Sequence, residues 1–325
     1  MTRPSRAPGA AILIALALAT PSGLSTLIKD HLAGGASRLA ALLLPQILPV
    51  FSVVAPGHPG AALRDLALVQ RGQATGAASF DHGYDRYAKV IRDHVRMPSV
   101  DYSALKKGRT ALDAAVHAFA QATDAEERAW THEQRLAFWI NAYNAFTLRA
   151  IVDHYPIRAP WLTLQPRNSI RQIDGVWTTM RWLAAGREVT LDDIEHQILR
   201  RELKEPRIHF AINCASVSCP PLPPEPYRAE TLDAQLDEAA RRYLASPEGL
   251  RVDGDTLRVS RILDWYGEDF VERFASLAPE GHDQKERAVR GVVIRFGPPE
   301  AAALARQPSA RIRFLSYDWS LNDTR

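Results

Sequence analysis

Both cysteines of this 325-residue chain lie in residues 209–221, HFAINCASVSCPP, with His209 five positions before Cys214 and Cys219 five after it. A thiol near its free pKa is mostly protonated at neutral pH, so a cysteine nucleophile needs a partner that holds it as thiolate. His209 or His196 can serve as base and Glu195 or Asn141 can orient the imidazole. Backbone N–H groups of the turn 215–218 can receive an oxyanion. In that reading the site is a thiol hydrolase or acyltransferase. A second reading is a redox or metal site. Cys214 and Cys219 can bridge across a turn in an oxidising compartment, but as zinc ligands beside His209 they lack the two-residue cysteine spacing and a fourth ligand. In a third reading Cys214 is a small buried hydrophobe. The Asn, Glu, His and Arg side chains then form a polar network that fixes a non-catalytic binding or scaffold module.

The elements that must position these groups can be read from periodicity. Alternation in RIHFAINC predicts a strand with Ile208, Phe210, Ile212 and Cys214 on one face and His209 on the other, so a His209–Cys214 dyad requires the strand to end or bulge at Asn213. TLDDIEHQILRREL, residues 190–203, reads as a helix capped by Thr190. At 100° per residue Glu195 falls inside the apolar stripe of Leu191, Ile194, Ile198 and Leu199, with His196 at its margin. A carboxylate on that face must be paired or protonated, and Arg200 and Arg207 are the nearest cations in sequence. Residues 132–155, HEQRLAFWINAYNAFTLRAIVDHY, are apolar nearly all round, which predicts a buried central helix opened by a Thr131/Gln134 capping box and ended by Pro156. Inside it Asn141 and Asn144 share a face, and a buried amide left unpartnered costs about 1–3 kcal/mol. They either tie down loop backbone or serve the site.

Around this frame the pattern predicts a helix over 81–94 and another through ALDAAVHAFAQA, capped by Ser103 or Thr110. GVWTTMRWL and GREVTL read as two strands and ETLDAQLDEAARRYLA as an amphipathic helix. LRVDGDTLRVS reads as a hairpin turning near Asp253 and Gly254. RILDWYGEDFVERFASL and KERAVRGVVIRFG read as helices, and a strand with aromatic residues closes the chain in IRFLSYDWSLN.

A 46% hydrophobic composition suffices for a substantial core, and 40 basic residues interleaved with 37 acidic ones give a formal charge of only +3, which excludes an electrostatic footprint for nucleic acid. Two cysteines allow one bridge at most, so the fold stands on its core. Residues 1–56 hold two apolar runs behind basic residues, AAILIALALAT and LAALLLPQILPVFSVVA, and read as an export signal or an N-terminal membrane anchor. Residues 57–79 read as a linker and 80–325 as one globular domain. The expected location is the cell envelope, either exported to the periplasm or tethered to the membrane through the N-terminal apolar segment.

AFWINAYNAFTL, LDDIEHQILR, PRIHFAINCASVSCPPL and YDWSLN, in this order, resemble the domain of unknown function 547 family over residues 80–325. The resemblance implies that Asn141, Asn144, Glu195, His196, Arg207, His209, Cys214 and Tyr317 to Trp319 occupy motif positions; it implies no established reaction. The expected fold is α+β, with helices packed around a small, mostly antiparallel sheet, possible in a papain-like or transglutaminase-like arrangement, although those enzymes place the cysteine on the central helix and ahead of the histidine. The expected catalytic set is Cys214, His209, His196, Glu195 and Asn141, with Asn144, Arg207 and Asp318 binding a small-molecule or peptide ligand and no cofactor called for.

Overall fold

The computed structural model describes residues 79–159 and 161–324. The leader 1–56 and, apart from Ser79, the linker 57–79 lie outside the described residues. The first layer is helical: α1 (Asp85–His94), a short β1–β2 hairpin (Val95–Arg96, Ser99–Val100), α2 (Tyr102–Lys107), α3 (Arg109–Gln121), α4 (Asp124–Ala129) and the 23-residue α5 (His132–His154). α5 is the buried rod that the sequence implies. Its Thr131/Gln134 capping box is formed, and Trp139, Ile140, Ala142, Phe146 and Ile151 are wholly enclosed. The caps expected at Ser103 and Thr110 are not used. Both residues lie inside helices, and Asp101 caps α2 by accepting from Ala104 N at 2.8 Å.

After α5 a long connection leads to the hairpin β3–β4 (Trp182–Ala184, Arg187–Val189), with Trp182 stacked on Phe146 of α5 at 5.0 Å. Residues Asp193–Glu202 then wind as a π-helix, in which Leu203 N reaches back to Ile198 O. Thr190 opens it as expected, its hydroxyl accepting from Asp193 N while Asp193 Oδ2 accepts from Thr190 N. A π-helix of this length is uncommon, and such wide turns recur at functional sites.

RIHFAINC is not a strand. Pro206–Phe210 form a 3₁₀ helix begun by Glu205, whose carboxylate accepts from Arg207 N. Every residue from 205 to 213 is buried, so the alternation in the sequence does not mark an inner and an outer face.

The second layer packs α6 (Leu232–Leu244) and α9 (Gln284–Phe296) with a three-stranded sheet. In that sheet β5 (Leu250–Asp253) and β6 (Thr256–Val259) are antiparallel, and β7 (Arg311–Phe314) runs parallel to β6. Residues 261–277, expected as one helix, break into α7 (Ile262–Trp265), a 3₁₀ turn (Gly267–Phe270), α8 (Val271–Phe274) and a second 3₁₀ turn (Ala275–Leu277). A further helix, α10 (Pro299–Ala305), was not foreseen. The fold is α+β with mostly antiparallel pairing, but the β structure is three separate small sheets rather than one. Among the described residues no helix is long and apolar enough to cross a membrane.

Candidate active site

A cavity of about 300 Å³ opens between the two layers. Its floor comes from α5 (Tyr143), the π-helix (Glu195, His196) and the turn holding Cys214 and Cys219, and its aromatic wall from Trp177, Trp265, Tyr266, Tyr317 and Trp319. Residues 215–218 are zipped to the C-terminal segment: Asn322 N donates to Ala215 O, Val217 N to Ser320 O and Ser218 N to Asp318 O. Asn213 locks the turn from inside, accepting from Ala215 N at 2.8 Å and donating to Pro220 O at 2.7 Å. Ala215 adopts the left-handed region at φ 60, an uncommon conformation for a residue with a Cβ, held here by those bonds on both sides. The turn thereby brings residues five apart into sulfur contact and lays Tyr317 across them.

Cys214 Sγ is 2.8 Å from Cys219 Sγ, 3.2 Å from Ser216 Oγ and 3.3 Å from the Tyr317 hydroxyl. Both cysteines are free thiols; Cys219 is buried and Cys214 half-buried. Hydrogen bonding from Cys219 first, then from Ser216 and Tyr317, pulls the Cys214 thiol below its ordinary pKa against the effect of burial. Burial, with Cys214 beside it, pushes Cys219 and Tyr317 well up. Of the pair, Cys214 is therefore the sulfur that gives up its proton more readily.

No hydrogen bond joins an imidazole to either sulfur among the described residues. His209 is enclosed; its Nε2–H donates to Asp269 Oδ2 at 2.7 Å, and its ring stacks on Tyr266 at 4.0 Å. Burial lowers its pKa, so it stands neutral with Nδ1 as the basic nitrogen. Arg200 grips the same Asp269 with two bonds, of 2.6 and 2.9 Å, and donates to His196 Nδ1 at 3.1 Å. Although burial opposes it, His209 and Arg200 hold the Asp269 carboxyl far below the usual range. Glu195, 8% exposed, accepts from the Tyr143 hydroxyl at 3.2 Å and is also hydrogen-bonded by Tyr266. Neither expected arginine reaches it. Arg200 is taken by Asp269, and Arg207 is locked between Glu205 and Asp237.

The match to known families falls across this site. Residues 127–244 match the family model described as "Protein of unknown function, DUF547". The likeness read from the sequence spans 80–325, and the DUF547 match supports it over 127–244, which includes Glu195, His209 and Cys214 but stops short of Tyr317. No curated protein and no solved structure matches the chain.

Of the expected site residues, Cys214, His209, His196 and Glu195 line the one cavity. Asn141 and Asn144 do not. Asn141 clasps the backbone of Tyr227, donating to its carbonyl and accepting from its N–H, and Asn144 donates to Ala211 O and accepts from Asn213 N. Arg207 is an ion-pair hub 3% exposed and away from the cavity. Asp318 is exposed and caps its own turn through Ser320 N, while its neighbours Tyr317 and Trp319 enter the wall. Of the backbone donors expected for an oxyanion hole, Ala215 N, Val217 N and Ser218 N are each already bonded, which leaves Ser216 N. Sequence reasoning gave no role to Ser216, Tyr143, Tyr266 or Asp269. Tyr143 and Ser216 lie inside the motif blocks, whereas Tyr266 and Asp269, in DWYGED at 264–269, lie outside them and carried no signal. Among the described residues no three His, Cys, Asp or Glu side chains gather as a metal-binding group.

Proposed function

We propose that the cavity is the active site of a thiol hydrolase or acyltransferase with Cys214 as nucleophile. The observation that carries this reading is the convergence of Cys219, Ser216 and Tyr317 on the sulfur of the cavity-lining Cys214, which favours the thiolate without an imidazole. In acyl transfer the sulfur attacks the acyl carbon; a C–S bond forms, the bond to the leaving group breaks, and the leaving group departs with that electron pair and takes up a proton. Water or an acceptor then cleaves the thioester and restores the thiolate. With three of the turn's N–H groups bonded, Ser216 N and the Tyr317 hydroxyl, which itself accepts from the Ser216 hydroxyl, are the donors at hand for the carbonyl oxygen. His209, neutral and oriented by Asp269, is suited to take the proton of the attacking water. Glu195 and the aromatic wall suit a small substrate with a flat or apolar body. The leader-like composition of 1–56 supports a place for this chemistry in the cell envelope.

The 2.8 Å contact between the sulfurs favours a second reading, a dithiol couple. There Cys214 attacks a substrate disulfide and expels one thiol. Cys219 then attacks the mixed disulfide, closing the Cys214–Cys219 bond and releasing the second thiol, so that two electrons pass to the substrate.

The test is alkylation of the full chain followed by mass spectrometry as pH is raised. Labelling of Cys214 with an inflection below the free-thiol pKa of about 8.5 supports an activated thiolate. Labelling only on unfolding overturns it. Isolating an acyl adduct on Cys214, as against a Cys214–Cys219 disulfide, separates the two chemistries.

A further inference from the structure

Trp161, Leu162 and Leu164 are 85, 76 and 102% exposed, which puts three of the largest exposed apolar side chains in four consecutive residues. Scattered single exposed hydrophobes need no explanation, but a cluster at a loop tip does. The tip is built. Thr163 Oγ1 accepts from Gln172 Nε2 at 2.9 Å, and the same amide donates to Pro166 O at 3.1 Å. Holding Thr163 inward splays Trp161, Leu162 and Leu164 outward.

The charge along the loop itself is of one sign. Residues 155–173 contain Arg158, Arg167 and Arg171 and no aspartate or glutamate. Among the described residues none of the three makes an ion pair, whereas Arg149, Arg200, Arg207 and Arg290 all do. Arg171 instead lies over Trp319 at 4.7 Å, on the cavity lining. Leu321 N, two residues past Trp319, donates to Asn168 O at 2.7 Å, so the loop's base is tied beside the cavity.

We infer that the loop 161–164 inserts into the surface of an anionic lipid bilayer, with Arg158 and Arg167 meeting the headgroups. Tryptophan favours the interfacial zone, leucine the acyl region just below it, and unpaired arginines the negative surface potential. The loop is a different stretch of sequence from the N-terminal apolar runs. Docking there sets the cavity beside the membrane, where an amphiphilic substrate is concentrated.

Because the N-terminal runs can hold the full chain on vesicles by themselves, binding alone does not test the loop. The readout is quenching of tryptophan emission by vesicles of phosphatidylcholine and phosphatidylglycerol with brominated acyl chains, comparing wild type with Trp161→Phe. The expected result is a quenched component in the wild type that Trp161→Phe lacks. It should shrink in Arg158→Gln/Arg167→Gln and in phosphatidylcholine vesicles without the anionic lipid. Equal quenching of wild type and Trp161→Phe, with both proteins sedimenting with the vesicles, would overturn the inference and leave the tip in water or covered by protein.

Discussion

Tyr317 and Ser216 lie against the Cys214 sulfur beside Cys219, and removing the Tyr317 hydroxyl tests what its contact does. Replacing Tyr317 by Phe deletes one donor to the thiolate while keeping the ring in the wall, so the alkylation inflection of Cys214 should move up toward the free-thiol value. A profile identical to wild type would mean that Tyr317 is wall only. Cys219→Ser keeps a hydroxyl beside the sulfur and should preserve acyl transfer but abolish dithiol turnover, so assay of both variants divides the two chemistries. At Asn144 the expected effect is on stability. Asn144→Ala strands the buried Asn213 N–H and Ala211 carbonyl, at about 1–3 kcal/mol each, and should lower the denaturant midpoint without changing the slope. Little change would mean that water replaces the amide.

At the scale of elements, Arg207 ties the Pro206–Phe210 turn to α6. Its guanidinium binds Glu205 twice at 2.9 Å and Asp237 at 2.6 Å, all three side chains being buried. Breaking such a buried set costs about 3–5 kcal/mol, and Arg207→Ala belongs at the low end because Arg273 and Arg295 still reach the two carboxylates. Calorimetry of that variant checks the figure. The second layer has its own sensitive point at Gly291 of α9, where an added Cβ would lie 1.9 Å from the Phe274 carbonyl oxygen. Gly291→Ala should therefore destabilise by about 1–3 kcal/mol through overpacking, seen as a Tm several degrees lower. The π-helix has the most direct link to the cavity. Its winding sends Glu195 to Tyr143 and His196 to Arg200, and periodicity at 100° per residue places Glu195 in the apolar stripe without revealing either partner.

For the whole molecule the titrating groups set the response to acid. Burial lowers the pKa of His209, and also of His82 and His94, so the unfolded chain binds protons more readily than the folded one below the free value of 6.5. Their contribution to stability is present above that pH and is lost as pH falls through the depressed folded values. Asp269 and Glu205 are depressed despite burial, by His209 with Arg200 and by Arg207 respectively; their contribution is lost at lower pH, below the ordinary carboxylate range. Tm measured against pH should fall once as pH drops below about 6.5 and again below about 4. A Tm flat from pH 7.5 to 5 would contradict the buried neutral histidines.

The sequence by itself determined the central helix with its capping box, α6 and the β5–β6 hairpin, because these depend on local periodicity and turn chemistry, and the rarity of cysteine singled out Cys214 as a candidate. It also marked Glu195 as a carboxylate on an apolar face. Only the tertiary structure decided what Cys214 touches. Its partner Tyr317 is 103 residues away, and the bonds that bring it there run between backbone groups that carry no side-chain signature. The supposed strand at 208–214 failed for the same reason: a segment enclosed on every side has no polar face to set its period, so packing rather than pattern chose its winding. Asn141, Asn144 and Arg207 look chemical in sequence because polar groups inside a core are costly. Only the fold shows that backbone clasps and ion pairs use all three.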